Sequence, residues 1–258
     1  MGSVYYKQLG DGPALVFLHG FCESHEIWDE TAPELSSGCS VITLDLPGFG
    51  KSAILKSPFS IKEVGHAVIE FIETFGIQKF GLIGHSLGGY VALAIAKERP
   101  DLVAGLCLFH STAQPDSEEK RINRNKVIDF VEKNGVRPFI ETFVPGLFFQ
   151  QDAKKVEKVY TIASRTSKKA LLGYVQAMRD RPDMTDFLRT FKSPLLFLAG
   201  ENDSIIPLSA LRDQTKASLN GKLKILSETG HMGMFEDTIH ANEILKNFAK
   251  GCFQNAGR

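Results

Sequence analysis

The sequence has few features that would mark a protein of membranes or nucleic acids. Lysine plus arginine (30) equals aspartate plus glutamate (30), so the formal net charge is +0 and no basic excess favours nucleic acid or anionic lipid. No apolar run is long enough to cross a bilayer, and the first residues contain no signal-peptide core. We therefore expect a cytoplasmic protein whose partner is a small-molecule substrate, with no nucleic-acid or membrane partner. The sequence leaves the oligomeric state open.

Cysteine is scarce, and its spacing is irregular. The four cysteines are Cys22, Cys39, Cys107 and Cys252. Their spacing matches no pattern of metal ligands, so no metal site is predicted. Scattered cysteines of this kind are typical of free thiols in a reducing compartment.

Short apolar runs alternate with helical patterns along the chain. The runs "ALVFLHG", "KFGLIGHS", "LVAGLCLFHS" and "PLLFLAGEND" are typical of buried strands. Helices are predicted at about Glu26 to Leu35 and in "SIKEVGHAVIEFIETFGI", where Ser60 and Glu63 form a capping-box pattern. Such alternation predicts an α/β fold with a mostly parallel central sheet flanked by helices.

One long segment departs from this alternation. From Thr112 to about Asp186 the charges become dense, and the pattern indicates several helices with no strong strand. We interpret residues 112–186 as a helical cap insertion, and residues 1–111 and 187–258 as one core domain.

The stretch "GHSLG", Gly84 to Gly88, fits the motif G-x-S-x-G between a predicted strand and a predicted helix. In that context the motif is a nucleophile elbow, a turn so tight that its neighbours must be small. The elbow would lift the Ser86 hydroxyl above the sheet and direct the backbone N–H of Leu87 towards an oxyanion.

A serine nucleophile needs a base and an orienting carboxylate, which should follow it in the order acid, then histidine, each after a strand. "GEND" offers Glu201 and Asp203 after one strand, and "TGH" offers His231 after the next. We favour His231 as the base, since His240 falls in the last helical pattern. Asp203 leads as the acid, with Glu201 as a loop buttress and Asp116, after an earlier strand, as the alternative.

The second oxyanion donor should come from the loop "HGFCES". The backbone N–H of Phe21 is the candidate. We expect His19 to hold this loop through hydrogen bonds rather than to act in catalysis.

The stretch "DLPGFGKS" ends as a phosphate-binding loop does. The full motif requires glycine where Asp45 stands, and no helix clearly begins at Lys51. We therefore interpret this stretch as a structural turn.

Taken together, the sequence resembles the α/β-hydrolase superfamily, in particular its small cap-bearing serine hydrolases and esterases. The matching pieces are "FLHGF", "DLPGFGKS", "GHSLGG", "GENDSIIP" and "GHMGMFE", in the family's order. The resemblance covers nearly the whole chain and is specific for fold and triad, but much less so for substrate.

The resemblance implies a catalytic triad of Ser86, Asp203 and His231, an oxyanion hole from Phe21 and Leu87, and no cofactor or metal. Relatives that hydrolyse haloalkanes or epoxides carry aspartate at the elbow, so the serine favours acyl chemistry. The leading hypothesis is a carboxylesterase-like enzyme that cleaves a small or medium carboxylic ester through an acyl-enzyme.

Two alternatives remain open on the same motifs. One is hydrolysis or elimination at a carbon–carbon bond, which would need an arginine in the pocket for an acidic substrate, and Arg181 is the candidate. We nevertheless expect Arg179 and Arg181 to form ion pairs that hold the cap to the core. The other is a weakly catalytic ligand receptor. The cap also carries an apolar stripe, part of which we expect to face Ser86: Phe139, Phe143, Val144, Leu147, Phe148 and Phe149.

Overall fold

The centre of the molecule is a sheet whose inner strands are rich in Val, Leu, Ile and Phe and are buried along their whole length. The structure, a computed structural model, describes residues 3–254. Its strands are β1 (Tyr6–Leu9), β2 (Ala14–Leu18), β3 (Ser40–Leu44), β4 (Phe80–His85), β5 (Val103–Phe109), β6 (Leu195–Gly200) and β7 (Gly221–Leu226).

The strand order is β1-β3-β2-β4-β5-β6-β7. Only the edge strand β1 runs antiparallel, against β3, and the other pairs are parallel. Strands buried on both faces consist of continuous apolar residues, and such runs predicted the inner strands from the sequence. The predicted mostly parallel α/β sheet is confirmed.

Helices fill the connections between the strands. They are α1 (Ala32–Leu35), α2 (Ile61–Glu73), α3 (Leu87–Glu98), α4 (Glu118–Asn134), α5 (Val136–Phe143), α6 (Ala153–Ala163), α7 (Lys168–Arg179), α8 (Thr185–Thr190), α9 (Leu208–Ala217), α10 (Gly233–Glu236) and α11 (Thr238–Phe253). Helices α2 and α3 pack together, and both α3 and α11 pack on β5. The carboxyl ends of the parallel strands thus meet at one edge of the sheet.

Two local predictions have different outcomes. The capping box is confirmed, since Ser60 Oγ accepts the Glu63 N–H at 3.3 Å and Glu63 Oε2 accepts the Ser60 N–H at 2.7 Å. The single helix from Glu26 to Leu35 is wrong: a 3₁₀ helix spans His25–Trp28, and α1 begins only at Ala32. Pro33 explains the break, because its ring excludes a helix that continues from the preceding turn.

The segment between β5 and β6 contains helices α4 to α8 and, within residues 112–190, no strand. This agrees with the helical character predicted for it, although residue 186 falls inside α8. Its assignment as a cap domain stays a prediction, and residues 1–2 and 255–258 of the predicted core lie outside the described residues.

In residues 3–254, no helix combines the length and apolarity needed to span a bilayer. The cytoplasmic location and the absence of a nucleic-acid partner stay predictions. All four cysteines are free and buried.

The elbow glycines are fixed by close backbone approach. A Cβ on Gly84 would overlap the carbonyl oxygen of Gly88, and one on Gly88 would overlap that of Leu18. By contrast, a Cβ on Gly251 in α11 would meet nothing within 4 Å. The contrast supplies a matched pair of substitutions.

We predict that Gly84→Ala lowers the free energy of unfolding by about 3 kcal/mol, because the backbone at the elbow must shift to admit a methyl group. Gly251→Ala should raise it by roughly 0.5–1 kcal/mol through helix propensity. Urea unfolding of both variants tests this. Equal effects would contradict the close packing at the elbow.

Candidate active site

Ser86 occupies the turn between β4 and α3 with φ 49° and ψ −112°. This conformation is rare for a residue other than glycine and is held by its surroundings. The Ser86 N–H donates to Phe109 O at 2.9 Å, and Ser86 O accepts from Ser111 Oγ at 2.7 Å. The side chain is half-buried, so it remains accessible at the carboxyl edge of the sheet.

Asp203 and His231 meet as the sequence predicted. His231 Nδ1 lies 2.8 Å from Asp203 Oδ2, and both side chains are buried. Asp203 Oδ1 accepts the N–H groups of Ile205 at 2.8 Å and Ile206 at 3.0 Å. Burial alone would raise the pKa of Asp203, but the two neighbouring histidines, His231 and His110, hold it well below its usual range. Asp203 is therefore an ionised acceptor at neutral pH.

Another histidine, His110, binds the same carboxylate. His110 stands at the end of β5, and its Nδ1 lies 3.2 Å from Asp203 Oδ2. Its side chain is fully buried, and burial lowers the pKa of His110 to about 4 despite the attraction of Asp203. The ring is thus neutral and carries one N–H at neutral pH.

A second buried carboxylate lies beside the elbow. Glu23 Oε2 accepts the Gly20 N–H and lies 3.0 Å from His85 Nδ1. His85 Nε2 donates to the His231 carbonyl at 2.9 Å. Burial would lower the pKa of His85 and raise that of Glu23, but their pairing raises the former and lowers the latter. The resulting ion pair joins the loop after β2 to both the elbow and the His231 loop.

The two predicted oxyanion donors are free to bind a ligand. In residues 3–254, neither the Phe21 N–H nor the Leu87 N–H has a protein acceptor. Leu87 is the first residue of α3, where unpaired N–H groups and the helix dipole favour negative charge. Cys22, with φ 60°, turns the chain sharply just after Phe21.

Ser86 and His231 are neighbours without being directly bonded. No hydrogen bond joins Ser86 Oγ to His231 within the described chain, and the link between the two loops runs through His85. The ring centroids of His85 and His231 are 5.0 Å apart. Catalytic hydrogen bonds often tighten only when substrate is bound, so a direct bond between these two side chains is not required in the free protein.

The competing candidates lie elsewhere. Asp116 Oδ1 is 2.7 Å from Arg181 Nη1, and its other oxygen binds Arg124 rather than a histidine. Glu201 Oε2 accepts the Glu228 N–H at 3.4 Å, a weak version of the predicted buttress. His240 is exposed in α11, as predicted.

The contacts of His19 and of the stretch "DLPGFGKS" agree with the structural roles predicted for them. His19 Nδ1 lies 2.8 Å from Gly20 O, and its Nε2 accepts the Leu46 N–H at 2.9 Å. Burial lowers the pKa of His19, in keeping with an acceptor nitrogen. The Asp45 carboxylate accepts the N–H groups of His25 at 2.7 Å and Lys51 at 2.8 Å, so "DLPGFGKS" is a structural turn.

Glu236 links the His231 loop to the helical segment. Its Oε1 accepts the N–H groups of Phe149 and Gln150, and its Oε2 those of Gly230 and Met232, at 2.8–3.2 Å. The loop that carries His231 is therefore joined to the helical segment at residues 149–150 through one carboxylate.

Four residues around the site were not identified from the sequence: Glu23, His85, His110 and Glu236. Three lie within motifs already recognised, in "HGFCES", "GHSLG" and "GHMGMFE". His110 follows a predicted strand in the same way as Asp203 and His231 do. Polar residues at the carboxyl ends of parallel strands are candidate site residues, and His110 fits that description.

Within residues 3–254, one cluster has the composition of a metal site. Ligand atoms of His110, Asp203 and His231 lie within 4.8 Å of one another. The distances from Asp203 Oδ2 to the two rings are those of N–H···O hydrogen bonds, and a neutral imidazole can supply each. The cluster is therefore fully accounted for as a hydrogen-bonded unit.

Two cavities lie away from this cluster. A cleft of about 960 Å³ runs along β7 and α11 and contains none of the predicted site residues. A cavity of about 50 Å³ lies beside Tyr90, Arg181 and Met184. The buried polar groups converge on Asp203 and not in the larger cleft.

Comparison with known proteins agrees with this architecture. A family model described as the alpha/beta hydrolase fold matches residues 13–238. The thermophilic esterase from Thermogutta terrifontis superposes with a TM-score of 0.92 at 26% identity, over 97% of this chain and 94% of that one.

Two curated relatives are similar in sequence. The chain is 30% identical to the dihydrolipoyllysine-residue acetyltransferase component of the acetoin cleaving system from Pseudomonas putida, over 93% of this chain but only 64% of that relative. It is 27% identical to 2-succinyl-6-hydroxy-2,4-cyclohexadiene-1-carboxylate synthase from Salmonella paratyphi B, over 85% of this chain and 86% of the relative. The strand order, the elbow and the family match together confirm the resemblance drawn from the motifs: the chain is an enzyme that belongs to the α/β hydrolase fold family.

Proposed function

We propose that the protein is a serine hydrolase that cleaves an uncharged carboxylic ester of small or medium size through an acyl-enzyme. The observation that carries this proposal is the 2.8 Å contact between His231 Nδ1 and Asp203 Oδ2, beside a serine in an elbow conformation. The esterase from Thermogutta terrifontis has the same fold at 26% identity, which supports ester chemistry.

The proposed mechanism follows from the donors and acceptors at the site. Because Nδ1–H of His231 donates to Asp203, its Nε2 is left to accept a proton. Ser86 Oγ attacks the ester carbonyl as His231 takes its proton, and His231 then protonates the leaving alcohol. Water repeats the sequence on the acyl-enzyme and releases the acid.

The backbone N–H groups of Phe21 and Leu87 are proposed to bind the oxyanion. Both are fixed by the fold before substrate arrives, so they need no reorganisation during the reaction. The Glu23–His85 pair supports this role, because Glu23 holds the Gly20 N–H next to Phe21 while His85 compensates its negative charge.

We further propose that residues 112–186 cover the site as a cap. Phe139 and Phe143 stack on each other at 5.1 Å and pack against Phe21 at 6.2 and 5.8 Å. An apolar cover of this kind excludes water from the reacting carbonyl. Val144, Leu147 and Phe148 are buried, and the Phe148 ring lies 6.5 Å from that of Phe235 in α10.

The preference for uncharged substrates rests on Arg181. Its guanidinium binds Asp116 and the carbonyls of Met178 and Gln114, and lies 4.0 Å from the Tyr90 ring centroid. Both Nη atoms of Arg181 are thus occupied by protein acceptors, although the Asp116 carboxylate is shared with Arg124. Arg179 is occupied by Asp180 and Asn125. The similarity to the cyclohexadiene carboxylate synthase keeps an acidic substrate as the alternative to be tested.

We predict that Ser86→Ala lowers turnover of a p-nitrophenyl ester by several powers of ten, with a residual rate on the order of 10³-fold over water from the remaining oxyanion donors. Thermal unfolding should be nearly unchanged. Steady multiple turnover by the wild type and its loss in the variant would support the enzyme. One slow turnover by the wild type would instead indicate a receptor.

The second prediction separates the two candidate acids. Asp203→Asn should reduce kcat by about 10⁴-fold, because the amide favours the wrong tautomer of His231. Asp116→Asn should lower stability by disturbing the buried pair with Arg181 but leave kcat within a few fold. We would measure kcat for the ester with both variants at a temperature where both are folded. A larger loss of kcat in Asp116→Asn would reverse the assignment of the acid.

The third prediction concerns charge in the substrate. We expect a higher kcat/KM for neutral p-nitrophenyl esters than for a carboxylate-bearing analogue, and the ratio should survive in Arg181→Gln. That variant should lose about 3 kcal/mol of stability because Asp116 is left partly uncompensated. Arg179→Gln, at an exposed pair, is the matched control with little effect. A strong preference for the anion that disappears in Arg181→Gln would favour the carbon–carbon alternative.

A further inference from the structure

The proposed mechanism does not use His110, although this residue lies in the middle of the site. Its side chain is fully buried at the carboxyl end of β5, with φ 48°. Nδ1 lies 3.2 Å from Asp203 Oδ2, and Nε2 accepts the N–H of Gly233 at 3.1 Å. His110 therefore touches the acid on one side and the loop of His231 on the other.

The contacts define which ring nitrogen carries the proton. The Gly233 N–H requires a lone pair on Nε2, so the single proton of the neutral ring is on Nδ1, facing Asp203. The Gly200 N–H also approaches Nδ1 at 3.1 Å and would favour the other tautomer. Either tautomer leaves one of these two N–H groups without an acceptor. The Nε2–H tautomer would in addition turn a lone pair towards the Asp203 anion, so the Nδ1–H tautomer is favoured.

We propose that His110 is a positioning residue for the hydrolysis, acting through Asp203 on His231; this inference rests on the proposed function. His110 Nδ1–H and His231 Nδ1–H both donate to Oδ2, while the backbone N–H groups of Ile205 and Ile206 hold Oδ1. The carboxylate is thereby fixed by four donors, and His231 receives a fixed orientation from it.

The contact between His110 and Asp203 should affect the pH dependence of catalysis, which a histidine that only stabilised the fold would not do. The charge on Oδ2 is shared between two N–H donors, so Asp203 stabilises protonated His231 less than it would alone. Loss of the His110 donor should therefore move the acid limb of the kcat/KM profile to higher pH. The other titratable groups that face Asp203 and His231 are Glu23 after β2, His85 on β4, Lys120 on α4 and Glu236 on α10. They are unchanged by a substitution at His110.

The test compares two substitutions at this position. His110→Leu removes the donor; kcat/KM should fall about 10–100-fold, the value of one hydrogen bond to a charged group, and the acid limb should move to higher pH. His110→Asn keeps a donor near the position of Nδ1 and tolerates positive φ. Its profile should keep the wild-type limb, with kcat/KM within several fold.

A matched control accounts for the loss of any buried histidine–carboxylate contact. His25 Nδ1 lies 2.7 Å from Asp45 Oδ1, and both side chains are buried away from Asp203. His25→Leu should reduce stability without moving the acid limb. A folded His110→Leu variant with an unmoved limb, or His110→Asn behaving as His110→Leu does, would overturn the proposal.

A measurement on the wild type removes the dependence on variant folding. In protein labelled with ¹⁵N-histidine, His110 should remain a neutral Nδ1–H tautomer from pH 5 to 9, since its pKa is about 4. An Nε2–H tautomer would contradict the proposal. Labelling of Ser86 by a fluorophosphonate in the wild type and both variants distinguishes the proposed function from the proposed role of His110. Failure to label would reject the proposed function. Labelling together with an unmoved acid limb would reject only the role of His110.

Discussion

The carboxylate of Asp203 is almost removed from solvent, and a buried charge is stable only when hydrogen-bond donors replace the water it has lost. The fold brings two backbone N–H groups from its own loop and imidazole groups from the ends of β5 and the loop after β7. The residues that follow β5, β6 and β7 therefore all contact the Asp203 carboxylate or contain it. The position of the His231 side chain depends on its bond to this carboxylate.

Beside this negative centre lies a second carboxylate with a different electrostatic setting. Both ring nitrogens of His85 face acceptors, the Glu23 carboxylate and the His231 carbonyl, so the ring carries both protons and its pair with Glu23 has no net charge. Asp203 faces neutral His110 and retains its negative charge. The two carboxylates differ in their surroundings: one accepts the N–H of Gly20 in the loop that carries Phe21, and the other would, in the proposed mechanism, stabilise positive charge as it develops on His231.

The helical segment between β5 and β6 is hydrogen-bonded to the loop that carries His231. His231 donates its backbone N–H to Leu147 O at 2.8 Å, and Glu236 bonds to both loops. On another side, Tyr174 donates to Pro47 O at 2.8 Å and packs against Phe49. Because the segment is anchored at several points, and because Arg181 is already paired, the surface it offers towards Phe21 is mainly aromatic and uncharged.

The sequence by itself determined the sheet, the elbow and the identity of its acid and base candidates, because buried parallel strands are continuous apolar runs and tight turns demand glycine. Pro33 lies within the helix predicted from Glu26 to Leu35 and explains why that helix is interrupted. Only the tertiary structure decided which strand ends meet. It placed His110 on Asp203 and paired Arg181 with Asp116, contacts that join residues more than sixty positions apart. Pattern and spacing report local conformation, whereas the partner of a buried charge is chosen by the packing of the whole chain.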